Sequence, residues 1–213
     1  MTKRLKVLTS YITNCDVFAD VGCDHGFVSE FVLKNNLAKT VIATDVSKPS
    51  LQKAINLLSK YPNFIAIHCD GFTGVDSQVD QAIISGMGGE EIVKILSSTT
   101  VKPNRLILSP QKNSYKVRRY LVENGYKILK DYTINDDKFY DVIVAILGSD
   151  KYLEDELVFG RDNLKNKNID FIIKIKNDIR LKVEILNNPN FSSDAKVQIQ
   201  NELTKLKEII NEN

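Results

Sequence analysis

The chain has 213 residues, 43% of them hydrophobic, and a net charge of +2 at pH 7. That length and apolar content suit one enzyme-sized α/β unit with an appendage. No apolar run approaches the roughly 20 residues of a membrane span, and Met1-Thr2-Lys3-Arg4 does not lead into a signal core, so a cytoplasmic protein is expected. Cys15, Cys23 and Cys69 form no Cys-x-x-Cys pair; neither a disulfide framework nor a zinc site is indicated, and reduced thiols are expected.

Residues 1–148 alternate short β-branched runs with stretches of helical spacing, the pattern of βαβ units around a mostly parallel sheet. A basic entry, Lys3, Arg4 and Lys6, precedes the first strand, Val17–Val21. That strand breaks into Gly22-Cys23-Asp24-His25-Gly26 before a helix that starts near Phe27. Glycines at 22 and 26 leave room for a nucleotide-like cofactor over the strand end, and Asp20 is suited to an amino group. The turn lacks the Gly-x-Gly-x-x-Gly of dinucleotide enzymes and the Gly-Lys-Ser/Thr of a P-loop. A glycine turn is also a common structural device, and His25 in such a turn more often bonds backbone than acts as a base.

The second strand, Thr40–Asp45, ends in an acid, and the third, Phe64–Cys69, is followed directly by one. Asp45 lies about twenty residues beyond the glycine turn, where a carboxylate accepts bonds from ribose hydroxyls. Asp70, followed by Gly71, is placed to meet an adenine amino group. Each acid can instead cap the next helix, Asp45 especially with Ser47 close by. His68 and Cys69 are successive strand residues that point to opposite faces, so they do not share a metal ion.

The fourth strand, Gln81–Ser85, runs into Gly86-Met87-Gly88-Gly89. Backbone sterics alone rarely need three glycines in four positions, so a ligand is expected to approach there; a glycine-rich helix start also suits a phosphate. After the fifth strand, Arg105–Ser109, come Pro110, Gln111 and a basic stretch: Lys102 to Lys130 carries eight Lys or Arg against Glu123 alone. Residues 161–182 add seven basic residues against three Asp. A solvated helix face accounts for any one cluster; the three together point to a polyanion. The last strands, Lys127–Ile134 and Tyr140–Leu147, are too close in sequence for a crossover helix and form an antiparallel hairpin at a sheet edge.

Beyond Gly148 strand alternation disappears. Ile172, Ile175, Ile179, Val183 and Leu186, then Ile199, Leu203, Leu206 and Ile210, trace two narrow helical seams on either side of a turn at Asn187-Asn188-Pro189-Asn190. A helical hairpin is expected. The implied division is a catalytic unit over 1–149 and a helical hairpin over 150–213.

Arg4-Leu5, Ala19-Asp20-Val21-Gly22-Cys23-Asp24-His25, Asp70-Gly71, Gly86-Met87-Gly88-Gly89 and Leu106-Ile107-Leu108-Ser109-Pro110 resemble, in order, the motifs of the bacterial TrmK family. The similarity spans about residues 3–148. Cys23 stands where serine is common in that family, Asp45 where glutamate is, and Gln111 where asparagine is. The resemblance implies a Rossmann-like class I methyltransferase fold with a seven-stranded sheet. It also implies methyl transfer from S-adenosyl-L-methionine to N1 of adenine at position 22 of tRNA, with Asp24 as the acid implicated in catalysis and Asp45, Asp70 and Gly71 in cofactor positions.

Combined with the strand-end reading, Asp24 and His25 are the catalytic candidates. Asp20, Gly22, Cys23, Gly26, Asp45, Val46, Asp70, Gly71, Gly86 and Met87 form the expected cofactor set. Arg4, Gly88, Gly89, Pro110, Gln111, Lys112, Tyr115, Arg118 and Arg119 are the residues expected against tRNA, the extruded base stacking on Met87 or Tyr115. No metal is expected. A small-molecule methyltransferase and an RNA-binding adaptor with a vestigial pocket remain the rival readings.

Overall fold

The structure, a computed structural model, describes residues 1–76, 78–187 and 192–211. A short helix α1 (Lys3–Thr9) opens the chain, and the first three strands are β1 (Cys15–Val21), β2 (Ala38–Asp45) and β3 (Phe64–His68). Helices α2 (Phe27–Lys34) and α3 (Lys48–Leu58) cross between them. β4 (Gln81–Ser85), α4 (Gly89–Ser97), β5 (Arg105–Ser109) and α5 (Ser114–Glu123) continue the alternation, and β6 (Tyr126–Asn135) and β7 (Phe139–Leu147) close it. The sheet order is β3-β2-β1-β4-β5-β7-β6. Five strands are parallel, while β7 runs antiparallel to both β5 and β6. The expected Rossmann-like sheet with its edge hairpin is therefore observed, each strand end within about two residues of its expected place.

Period-two alternation divides the core. Ala19, Val21, Ile84, Leu106 and Leu108 pack on α4 and α5; Phe18, Val41, Ile83 and Ile107 pack on α1 and α2. Because the chain leaves β1 toward β2 and later returns from β3 to β4 on the other side, the crossovers diverge between β1 and β4. The C-terminal strand ends open there, and ligands bind at such a switch point.

Four helices follow: α6 (Glu154–Phe159), α7 (Arg161–Asn166), α8 (Ile169–Leu186) and α9 (Ser193–Asn211). None among the described residues is long and apolar enough to cross a membrane. Phe171 and Ile175 of α8 are buried with Leu206 and Ile209 of α9, and Phe159 and Leu164 pack on them from α6 and α7. This corrects the expected seams: Phe171 replaces Ile172, Ile209 is deeper than Ile210, and Val183 is 39% exposed. With α6 and α7 closing a third side, the apolar stripe is wider than a two-helix seam. The expected turn lies, from residue 188 onward, outside the described residues.

A polar node binds this helical region to the sheet. Arg118 is fully buried, its Nε 2.8 and 3.0 Å from the Asp131 carboxylate oxygens and its Nη2 3.0 Å from Asp141 Oδ2. Its Nη1 donates to the carbonyls of Leu157 and Val158 in α6. Burial alone would lower the guanidinium pKa, but Asp131 and Asp141 outweigh it and raise the pKa further. Gly160 fits beside the node only without a side chain; an added Cβ would lie 2.9 Å from Asp131 Oδ1. The expectation that Arg118 grips phosphate is thus corrected, since its charge is sealed inside a network that phosphate does not reach. Replacing Arg118 with Met strands two carboxylates and is expected to destabilise the protein by about 3–5 kcal/mol in urea unfolding. A loss below about 1 kcal/mol would show that the node does not hold α6 to the sheet.

Candidate active site

Four strand ends and two helix starts surround a cleft of about 580 Å³. The turn between β1 and α2 forms its floor. Gly22 (φ +71) and Asp24 (φ +46) both adopt left-handed backbone there, a conformation rare outside glycine but tolerated by Asp. Thr44 O accepts from the N–H groups of Gly22 at 2.8 Å and Cys23 at 3.0 Å. Asp45 then fixes the next residue: its Oδ2 accepts from Asp24 N at 2.9 Å, and its Oδ1 from Ser47 N at 2.8 Å. Ser47 caps α3, so Asp45 joins the turn and not the helix cap itself. With its backbone held, the Asp24 side chain remains 67% exposed at the cleft. His25 Nε2 is 3.7 Å from Asp24 Oδ1, and the His25 ring stacks on Phe27.

Cys69, Asp70 and Gly71 enter the cleft from the end of β3, and Ser85, Gly86 and Met87 from β4. At Gly86 (φ +85) an added Cβ would meet nothing within 4 Å, so its backbone faces open space. At Gly89 the same addition would lie 2.3 Å from Asn113 O. The glycine loop therefore has two purposes: one glycine opens the cleft, and another lets the loop after β5 come close. Gln111 N donates to Met87 O at 2.9 Å and Gly89 N to Lys112 O at 2.8 Å, joining the two loops. Asp70 is paired with Lys94 at 3.0 Å. Arg4 enters from α1 with its guanidinium 4.6 Å over the Tyr140 ring, and its buried Nη1 has no hydrogen-bond partner.

The cleft brings together Asp24, His25, Gly22, Cys23, Asp45, Val46, Asp70, Gly71, Gly86, Met87, Arg4 and Gln111 of the expected site residues. Others lie elsewhere. Gly26 packs on α3, where a Cβ would be 2.9 Å from that of Ala54. Gly88, Gly89 and the buried Pro110 belong to the loop junction, and the exposed Lys112 covers Gly88. Tyr115 is exposed on α5 outside the cleft, and Arg119 pairs with Glu154 at 3.0 Å. Asp20 is a correction: it lies beneath the cleft, buried, accepting from Ser29 N at 3.1 Å and Ser29 Oγ at 2.7 Å. It braces β1 against α2 and does not line the cleft. The sequence reading missed Phe27, Ser85 and Glu91, which line the cleft; Ser85 ends β4, Phe27 begins α2 and Glu91 lies in the first turn of α4, and that place at the sheet's C-terminal edge was the available signal.

Burial raises the Cys23 and Cys69 thiols above their ordinary pKa, so neither is a thiolate nucleophile at neutral pH. Among the described residues no cluster of three His, Cys, Asp or Glu is arranged for a metal. Burial also pushes Asp20 up to about 6 from 3.8, against the two Ser29 bonds that lower it. A carboxyl raised on folding contributes stability that is complete below pH 4 and is lost as pH rises through 6. The stability of the native protein relative to Asp20→Asn is therefore expected to fall by on the order of 3 kcal/mol between pH 4 and 7 in urea unfolding. A difference that stays flat would mean that Asp20 titrates alike in both states.

Comparisons with known proteins agree with this geometry. The model of a family described as "Methyltransferase domain" matches residues 1–143. The tRNA (adenine(22)-N(1))-methyltransferase of Bacillus subtilis is 28% identical over 190 residues, 85% of this chain and 79% of that protein. The structure of M. capricolum TrmK with S-adenosyl-homocysteine superposes with a TM-score of 0.90 at 27% identity, covering 99% of this chain and 98% of that one. The crystal structure of the B. subtilis m1A22 tRNA methyltransferase TrmK has the same fold, with a TM-score of 0.84 at 24% identity and coverage of 99% and 98%.

Proposed function

The chain belongs to the methyltransferase-domain family, and from that premise we propose that it transfers a methyl group from S-adenosyl-L-methionine to N1 of adenine 22 in tRNA. The observation that carries the reading is the clamp at Asp45, which holds Asp24 in left-handed backbone so that its carboxylate faces the cleft. The TrmK resemblance drawn from the motifs over about residues 3–148 is borne out, and the likeness in fold to M. capricolum TrmK extends over 99% of the chain.

The residues present fit the cofactor. The cleft volume lies within the range of small-molecule sites. Asp45 keeps lone pairs beyond those used by Asp24 and Ser47, enough for ribose hydroxyls; Asp70 suits the adenine amine, and the open backbone at Gly86 allows close approach. When bound, S-adenosyl-L-methionine supplies an electrophilic methyl group on a sulfonium centre. Asp24, Asp45 and Asp70 make the cleft electronegative, which favours cations at both ends of the reaction.

Adenine N1 already carries a lone pair, so the protein need not create a nucleophile; its tasks are alignment and charge stabilisation. Asp24 accepts a hydrogen bond from the exocyclic amine and stabilises the positive charge that develops on the ring. His25, beside it, helps to fix the carboxylate. Lys112 and Arg119 contribute charge to tRNA binding without reading sequence. The helices that follow β7 extend that surface, while the sheet and its flanking helices form the catalytic unit. A tRNA substrate sets the protein in the cytoplasm.

Incubation with unmodified tRNA followed by nucleoside mapping tests the proposal: methyl groups at N1 of adenine 22 support it, while methylation confined to small amines or carboxylates, or cofactor binding without product, overturns it. Asp45→Ala is expected to weaken cofactor binding by about one to two orders of magnitude in calorimetry, through lost charge-assisted hydrogen bonds. An unchanged affinity in the folded variant removes Asp45 from the site. Asp24→Asn tolerates the same backbone and keeps one acceptor but loses the charge; kcat is expected to fall on the order of 100-fold with near-normal tRNA binding. Near wild-type turnover would sink the electrostatic role.

A further inference from the structure

The extruded adenine needs a surface to stack on, because leaving the tRNA helix forfeits a few kcal/mol of stacking and pairing. Neither Met87 nor Tyr115 supplies one. The Met87 methyl occupies the space over Gly22, 2.1 Å from where a Cβ would lie, and Tyr115 is outside the cleft. Among the described residues the cleft has only two aromatic rings, His25 and Phe27. Their planes are parallel to within 3° and their centroids 5.5 Å apart. Phe27 is 49% exposed, although it is the first residue of α2 and its backbone is set by the helix. The left-handed turn at Gly26 separates it from Asp24 by two residues, so the ring and the carboxylate project from one short turn at the cleft.

From these observations, and resting on the proposed function, we propose that Phe27, oriented by its stack on His25, is the platform on which the target adenine lies while its amine meets Asp24. An apolar ring kept half in water at the mouth of a charged cleft offers the flat, sequence-tolerant surface that a purine uses. It binds the base and not the phosphates, and it is separate from the acids assigned to the cofactor.

Phe27→Leu keeps an apolar side chain at an exposed helix start and removes the flat face; Phe27→Tyr restores the face. Stacking worth 1–3 kcal/mol per base corresponds to roughly a 5- to 150-fold change. Phe27→Leu is therefore expected to lower kcat/KM for tRNA within that range while cofactor affinity, read by calorimetry, stays within about twofold, and Phe27→Tyr to recover most of the loss. On tRNA lacking the base at position 22, native protein and Phe27→Leu should bind alike. If the native protein methylates adenine 22 and Phe27→Leu is unimpaired, or if cofactor affinity falls in step with kcat/KM, the platform is overturned and the functional reading stands. If the native protein leaves adenine 22 unmodified, the functional reading fails and the platform with it.

Discussion

The site depends on one carboxylate. Asp45 ends β2 with its two oxygens divided between two backbone donors, Asp24 N in the turn after β1 and Ser47 N at the start of α3. A backbone in the left-handed region is strained for most residues, and such strain persists only where the surroundings over-determine it. Here the parallel register of β1 and β2 brings Asp45 alongside the turn, and Thr44 O holds the two residues before Asp24. A neighbouring pair of strands thus aims a carboxylate into the cleft without using that side chain's own hydrogen bonds.

Other parts of the fold support this turn from below and from the side. Asp20 and Ser29 tie β1 to α2 beneath it, and Gly26 lets α2 approach α3. Opposite, the backbone bonds between the glycine loop after β4 and the loop after β5 bring Gln111 beside Met87. Farther away, Arg118 anchors α6 to the sheet, so the helical region is attached through charge buried in the catalytic unit. That attachment ties α6 to the sheet whose strand ends carry the cleft.

The sheet was readable because strand periodicity and turn residues are local signals; all seven strands and the edge hairpin follow from them. The three strand-end acids were equally visible, yet their environments were not. Asp20 and Asp45 have the same local appearance, an acid on a parallel strand, but only packing decides that Asp20 faces Ser29 while Asp45 reaches the turn. Arg118 was misread as a phosphate contact because a basic residue in a basic stretch signals an exposed charge, and its partners, Asp131 and Asp141, come from strands that pair beyond it in sequence. Phe27 was passed over since a single exposed phenylalanine is ordinary on a surface; its meaning lies in the parallel His25 ring and the cleft around both.

The most direct test of the account is single-turnover methylation of tRNA by Asp45→Asn at saturating S-adenosyl-L-methionine. Asparagine has one acceptor oxygen for the two backbone donors that Asp45 satisfies, so one of them loses its partner and the hold on Asp24 loosens. Saturation removes the effect of weaker cofactor binding and leaves only the orientation of the turn. The account predicts a methyl-transfer rate constant at least about tenfold below that of the native protein, the equivalent of one lost hydrogen bond of about 1.4 kcal/mol. A rate constant equal to the native value would contradict it, showing that Asp45 serves the cofactor alone and that Asp24 is held by other means.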